Sequence, residues 1–352
     1  MLDDVKAISE IDKSGMLGTL AGFPGHIKEA VEIIKTTQLP DFIKIDNVVV
    51  TGLGGSAVSG DIVKSLFRDK MDVPFYVNRD YDLPKWVRKD TLTIFLSYSG
   101  NTEETLSAFK LAYQKKCNIV CISSGGKLQE LAEKREIIHI KIPTGFQPRA
   151  ATAYLLFPLI LILKRNSLLK NTTGSDIEET ISVTQELVNE NKKEVLEKDN
   201  LSKQIAKKIL NTIPQIYGWG VYSPMAGRWR QQLNENSKVI ARDDIIPESN
   251  HNDIVGWSAN PEMSKKFSCI LFRDKSEETL YMSTRLDFMK TLFEDVAANC
   301  IEVHPKGKSR LAKMMYTMCL GDFVSCYLAV LRKVDPTPID IISELKERLT
   351  RL

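Results

Sequence analysis

The stretch Thr91–Leu106, TLTIFLSYSGNTEETL, constrains the fold of this chain more than any other. Thr91 to Leu96 is an unbroken apolar and β-branched run, the pattern of a strand covered on both faces. It breaks into Ser97, Tyr98, Ser99, Gly100, Asn101 and Thr102. Glu103 and Glu104 then open a helix whose apolar stripe runs through Leu106, Phe109, Leu111 and Ala112. This is strand, hydroxyl-rich turn, helix. Such a turn offers side-chain hydroxyls and backbone N–H groups at the positive end of a helix, which is what a phosphate oxygen needs. It holds no Lys and no GxxxxGKS, so it is not a triphosphate cradle. It suits one phosphate held by neutral donors, as on a sugar monophosphate. A turn that merely caps its helix would use the same residue types.

A second segment of the same kind comes first. NVVVT (Asn47–Thr51) opens into Gly52, Leu53, Gly54, Gly55, Ser56 and a helix marked by Ile62, Val63 and Phe67. GLGGSAVSGD is close to a dinucleotide fingerprint, which would require an acid after the next strand; Pro74–Asn78 is followed by Asp80, and that residue alone supports the cofactor reading. The reading adopted is that the glycines let a sugar approach the backbone, and no cofactor is expected. Further strands at Asn118–Ser123 and Ile137–Ile142, with a helix between them from Lys127, complete an α/β alternation. That alternation implies a doubly wound parallel sheet with flanking helices, its ligand beyond the carboxyl ends of the strands where both turns fall. The loop Thr144–Ala151 carries Arg149 just after Pro148, placed for a site or for a surface salt bridge.

The organisation expected is an N-terminal domain over 1–164, with helices in residues 1–40 covering it, a helical linker over 165–200 that TTGSD opens, and a C-terminal domain over 201–352. In the last, a strand at Pro214–Gly220, a small-residue turn at Tyr222–Gly227 and a helix through Arg228–Asn236 repeat the earlier geometry, which suggests an internal duplication. Glu235 is the lone carboxylate among Gln231, Gln232, Asn234 and Asn236, a description of a polar pocket. Lys238–Ala241 reads as a short strand, followed by the polar run that carries His251 at a helix start, well placed for proton transfer. His26, His139 and His304 read as structural. Phe267–Phe272 and Cys300–Val303 read as strands, with no element assigned between them. Leu311–Val330 reads as a long amphipathic helix, and Ile339–Leu349 as a closing one.

Composition removes other classes. The 48 Lys and Arg against 45 Asp and Glu are dispersed over 352 residues, which argues against a nucleic-acid or membrane-surface partner. Six cysteines lie mostly in apolar runs without metal-ligand spacing, so a reduced, cytoplasmic protein without a metal site is expected. The acidic N-terminal stretch lacks the apolar segment of a secretory signal. Ala153–Leu163, read as the longest apolar run, is too short to span a bilayer.

Six segments together, VVVTGLGGSAVSGD, IFLSYSGNTEETL, the PRAA of the 144–151 loop, QLNENSK, PESNHNDIVGW and GDFVSCYLAVLRKVDPTPID, resemble in order the bifunctional phosphoglucose/phosphomannose isomerases built from two sugar-isomerase (SIS) domains. The resemblance implies metal-independent interconversion of glucose 6-phosphate and mannose 6-phosphate with fructose 6-phosphate through an enediolate. It implies Glu235 as the base, His251 as a second catalytic group and Arg149 as the enediolate's partner. It further implies Ser97, Ser99 and Thr102 around the phosphate, and Gly54, Gly55 and Ser56 beside the sugar. Ser325 matches the small hydroxyl residue of the C-terminal helix, and either Arg332 or Lys333 matches the basic residue that follows. A homodimer with shared sites is implied, each completed by the other subunit's histidine. Two other readings compete: a non-catalytic sugar-phosphate sensor, which needs neither Glu235 nor His251, and a glutaminase-coupled aminosugar isomerase, which needs a nucleophilic Cys where the chain has Leu2.

Overall fold

The computed structural model describes residues 1–169 and 174–349; Thr172 and Thr173, expected to open the linker helix, lie outside them. The chain divides into two compact units, one of Gly22–Ser182 with Lys308–Ala312 and one of Met1–Ala21, Val183–Gly307 and Lys313–Leu352. Helices α1 (Val5–Ile11) and α2 (Met16–Ala21), expected to belong with the first domain, fall in the second unit. Their partners lie in the second unit: Glu197 N donates to Asp3 Oδ1 at 2.6 Å, and Lys193 Nζ donates to Ser9 Oγ at 3.0 Å. An amphipathic pattern announces a buried face without naming what buries it.

In the first unit, α3 (Phe23–Thr36) starts where Pro24 sits in its first turn, a position at which the missing N–H has no helical partner to lose. Then follow β1 (Asn47–Thr51), α4 (Gly55–Leu66), β2 (Phe75–Asn78), β3 (Thr91–Leu96), α5 (Glu103–Gln114), β4 (Asn118–Ser123), α6 (Gly126–Glu133), β5 (Ile138–Lys141) and α7 (Thr152–Arg165). The five strands form one parallel sheet in the order β2-β1-β3-β4-β5. Every residue of β1 and β3 is buried, as their unbroken apolar runs require of central strands. One core cluster gathers Phe95, Phe109, Ile119 and Leu128, the two rings meeting edge to face at 5.5 Å. Each such side chain contributes about 1.5–3 kcal/mol on burial.

Helix α8 (Gly174–Asn191) contains the boundary between the units, after Ser182. The second unit continues with α9 (Leu201–Lys208), β6 (Ile213–Trp219), α10 (Ser223–Ser237), β7 (Arg242–Ile246), α11 (Asp253–Ala259), α12 (Pro261–Ser264), β8 (Phe267–Phe272), α13 (Leu280–Val296), β9 (Asn299–Val303), α14 (Arg310–Leu331) and α15 (Asp340–Leu349). Its parallel sheet runs β7-β6-β8-β9, the same order as the first four strands of the other sheet. That identity of connection carries the internal duplication.

Four local expectations need correction. Lys238–Ala241 is not a strand: Lys238 takes the left-handed conformation (φ 53°) that ends α10, and the strand is the charged edge segment Arg242–Ile246. The Ser223–Gly227 segment is not a turn but the start of α10, with Pro224 in its first turn. Helix α13 fills a stretch to which no element was assigned; it keeps Leu280, Tyr281 and Phe288 exposed, which blurs its apolar stripe. Finally, α14 is buried nearly all round instead of amphipathic. Among the described residues it is the helix long and apolar enough to cross a membrane, and 94% of its apolar window is buried inside the protein.

Helices α10 and α14 meet where Gly321 faces Trp229. A Cβ on Gly321 would lie 2.3 Å from Trp229 Nε1, whose N–H is already committed to Thr317 O at 2.8 Å. Gly321→Ala should therefore lower unfolding free energy by about 1–3 kcal/mol, the usual range for overpacking. Equilibrium urea denaturation checks this, with an unchanged midpoint as the contrary result.

Candidate functional site

In the first unit the hydroxyl-rich turn does more than cap its helix. Thr102 occupies the N-cap position of α5, yet its side chain makes no capping bond. Its Oγ1 lies instead 3.0 Å from Ser97 Oγ, so two hydroxyls stand together beside the first-turn N–H groups of α5. Ser99 Oγ accepts from Asn101 N at 3.3 Å, and Ser99 is exposed.

The turn is held by the one that follows β4. Gly100 has φ +68°, and a Cβ there would stand 1.8 Å from Gly125 O. Only a glycine permits that approach. Ser124 N and Oγ both donate to Tyr98 O, at 2.9 and 2.7 Å, and Leu128 N donates to Gly100 O at 2.9 Å. Gly125 is fixed in its turn, because Ser123 Oγ donates to its carbonyl at 2.8 Å and lies 2.7 Å from His139 Nε2. With the serine proton spent on Gly125, the network assigns the imidazole proton to Nε2. Burial lowers the His139 pKa from its ordinary value, against the pull of Glu133, which keeps the ring neutral for this task.

Two further loops close on the same turn. Gly54 N-caps α4 with φ +51°, Gly55 follows, and buried Ser56 accepts a long 3.4 Å bond from Tyr98 N. A Cβ on Gly55 would lie 3.0 Å from Arg149 Cα and 3.1 Å from Pro148 O, so the glycine turn and the PRA loop pack backbone to backbone. Arg149 is itself buried, in a short 3-10 turn spanning Pro148–Ala150. Tyr98 joins all three, since its hydroxyl accepts from Phe146 N at 2.7 Å; burial raises its pKa, so it remains a neutral phenol. Gly54, Gly55, Ser56, Ser97, Ser99, Thr102 and Arg149 are thus brought into one cluster of loops. Tyr98 and the Ser124–Gly126 turn were not singled out by the sequence; their only signal was a large residue inside a small-residue turn and an SSGG after a strand.

The second unit holds the remaining candidates. Glu235 is half-buried on the last turns of α10. Its neighbours bolt that helix to α14: Asn236 Nδ2 donates to Ser325 Oγ at 2.9 Å, and Ser237 Oγ donates to Ser325 O at 2.6 Å. Ser325 is fully buried and donates its own proton to Asp322 O at 2.6 Å, so its hydroxyl is engaged within the protein. Arg332 Nε donates to Ser237 O at 3.0 Å, whereas Lys333 takes the left-handed backbone conformation, φ 58°, after the end of α14. Of the two basic candidates, Arg332 is tied to the helix of Glu235.

His251 ends the 3-10 turn Glu248–His251 and is exposed. The polar residues around it are consumed structurally. Asp253 accepts from Tyr217 Oη at 2.5 Å and Trp257 Nε1 at 2.9 Å, Asn252 Nδ2 donates to Glu248 Oε1 at 3.0 Å, and Asn250 Oδ1 accepts from Arg285 Nη1 at 3.3 Å. The His251 side chain makes no hydrogen bond among the described residues, and the residue is exposed to solvent.

Comparison with known proteins bears on this arrangement. Residues 41–163 match the SIS domain family, and residues 198–349 match the family described as the bacterial phospho-glucose isomerase C-terminal SIS domain. The bifunctional phosphoglucose/phosphomannose isomerase of Caldicellulosiruptor bescii is 40% identical over 96% of this chain and 99% of its own length. The chain belongs to the bifunctional phosphoglucose/phosphomannose isomerase family. A second member, from Aquifex aeolicus, is 37% identical over 88% of this chain and 92% of its own. The fold is also that of a glucose-6-phosphate isomerase like protein from Thermus thermophilus, with a TM-score of 0.66 at 17% identity over 98% of both chains.

In this member of the family, Gly100→Ala should separate the two interlocked turns, since both the positive φ and the Gly125 carbonyl oppose a side chain. The expected outcome is at least a tenfold loss of affinity for a sugar monophosphate, read by calorimetry, with the far-UV circular dichroism retained. Unchanged affinity would dissociate the turn from phosphate binding.

Proposed function

We propose that this chain is an aldose–ketose isomerase that interconverts glucose 6-phosphate and mannose 6-phosphate with fructose 6-phosphate. The observation that carries the proposal is the Ser97–Thr102 hydroxyl pair, withheld from helix capping and set at the N-terminus of α5 among the glycine turn and the PRA loop. Neutral donors at a helix N-terminus hold a phosphate monoester without the cation that a nucleotide triphosphate demands. Family membership points to the substrates, since the Caldicellulosiruptor and Aquifex relatives carry that activity in their names.

The chemistry assigned to the residues follows from what the reaction needs. A proton must pass between C2 and C1 of the open-chain sugar, and Glu235 is the carboxylate proposed to carry it, its helix anchored through Asn236 and Ser237. As the proton leaves C2, negative charge builds on the enediolate oxygens, and the Arg149 guanidinium is proposed to stabilise it, positioned by a loop that Tyr98 and Gly55 hold. His251, exposed and without an internal partner among the described residues, is proposed to assist ring opening in the site of a second subunit. Tyr281 and Phe288, exposed on α13 and flanking the Arg285 that bonds Asn250, give that surface the apolar character of a subunit contact. Arg332 is the preferred basic substrate group over Lys333. Glucose and mannose phosphates differ only at C2, which is planar in the shared enediolate, so rotation about C1–C2 suffices for both aldoses.

Glu235→Gln should bind substrate normally and lose about 10²-fold to 10⁴-fold in kcat, the range for a lost general base. Coupled assays on both aldose phosphates measure it, and retention of more than half the wild-type rate removes Glu235 from the role. The shared site has its own test. Co-expressed Glu235→Gln and His251→Ala chains, each inactive alone, should form a heterodimer with one intact site, and random pairing should return about a quarter of wild-type activity by two-fold symmetry. A purified heterodimer as inactive as its parents places His251 in its own subunit or outside catalysis.

A further inference from the structure

The duplication gives the C-terminal domain its own counterpart of the phosphate turn. In sheet order β8 stands where β3 stands in the other domain, so Arg273–Thr279, between β8 and α13, corresponds to Ser97–Thr102 between β3 and α5. What lies in that turn is a pair of buried carboxylates, Asp274 and Glu278, of which Glu278 is taken by Arg273 and by Asp274 N. Asp274 Oδ2 accepts from Tyr222 Oη at 2.6 Å and from Lys313 Nζ at 2.9 Å, and Oδ1 accepts from Ser276 Oγ at 2.7 Å and Ser276 N at 3.1 Å. Lys313 Nζ also reaches Ser276 Oγ. These donors come from three places: the turn before α10, the turn after β8 and the start of α14. In chain order they match the glycine turn, the phosphate turn and the start of α6, the helix that follows β4, in the first domain. Asp274 and Lys313 are each more than nine-tenths buried. Burial raises the Asp274 pKa, but the bonds from Tyr222, Lys313 and Ser276 outweigh it and hold the carboxyl below its ordinary value, so the group is an anion.

We infer that the C-terminal domain retains an oxyanion site at the end of β8 that is filled from within by the Asp274 side chain and is thereby closed to an external phosphate. A phosphate monoester and a carboxylate both accept from hydroxyl and backbone N–H donors, and a cation beside either strengthens the binding. Here the Tyr222 and Ser276 hydroxyls, Ser276 N and the Lys313 ammonium converge on the Asp274 side chain. The first domain presents a comparable turn lined by serine and threonine, with no carboxylate between Ser97 and Thr102. The correspondence rests on the phosphate role proposed above for that turn, whereas the donors around Asp274 stand independently of it.

Removing the internal anion should uncover the site. Inorganic phosphate titrated calorimetrically into Asp274→Ala should bind with one more equivalent per chain than into wild type, and Asp274→Ala/Lys313→Met should return to the wild-type count. Asp274→Asn, which fills the same space, should gain none. If Asp274→Ala is unfolded in buffer, added phosphate should restore its cooperative thermal transition and raise Tm with concentration. The inference is overturned if phosphate neither adds an equivalent nor rescues folding, or if Asp274→Asn gains the same equivalent. Absence of phosphate binding by wild type, with one equivalent gained by Asp274→Ala, would strike at the role of Ser97–Thr102 and leave the present inference standing.

Discussion

The candidate site depends on the contact between the backbone at Gly100 and the carbonyl of Gly125. Two strand-to-helix turns can interlock only if one of them lacks a side chain where the other's carbonyl enters, and the chain meets that demand with a glycine at φ +68°. Everything around the contact serves to hold it: His139 orients Ser123, Ser123 fixes Gly125, and Ser124 ties down Tyr98. Tyr98 then reaches the PRA loop through Phe146 N. This chain of contacts fixes the backbone of the turn from which the Ser97 and Thr102 hydroxyls project.

A different constraint rules the second unit. Helix α10 lies on α14 through a buried polar seam in which Arg228 Nε and Nη2 donate to Asp322 Oδ1 and Oδ2 at 3.0 and 2.8 Å, continued by Asn236 and Ser237 on Ser325. A buried ion pair is a weak source of stability, because desolvation offsets most of its attraction. Its value lies in register. A purely apolar interface tolerates a slide of one turn, whereas a paired guanidinium and carboxylate do not, so Glu235 keeps one place along the helix.

How much of this was legible in the sequence depended on how far a residue's role is set by its neighbours in the chain. Central strands β1 and β3 were readable because burial on both faces forces unbroken apolar runs. Edge strand β7 was not, since Arg242, Asp243 and Asp244 carry charge where one side of the strand meets solvent. Helix α13 escaped for a related reason: Leu280, Tyr281 and Phe288 place apolar residues on its exposed side, which spoils the amphipathic period. The site divided in the same way. Ser97, Thr102, Gly55 and Arg149 sit in short motifs whose chemistry is visible locally. Tyr98, Ser123 and His139 act through partners distant in the chain, and a sequence offers no view of those.

The segment Met1–Ala21 bears on how such a chain is made. It precedes the first domain, yet its partners lie from Val183 onward. During synthesis the first domain can close around its own sheet while this segment, with Leu2, Ile8, Met16, Leu17 and Leu20 on its buried side, still waits for the surface that will cover it. Completion of the second unit therefore requires a closure between segments far apart in the sequence. The earliest part of this sequence to leave the ribosome is among the last to find its place.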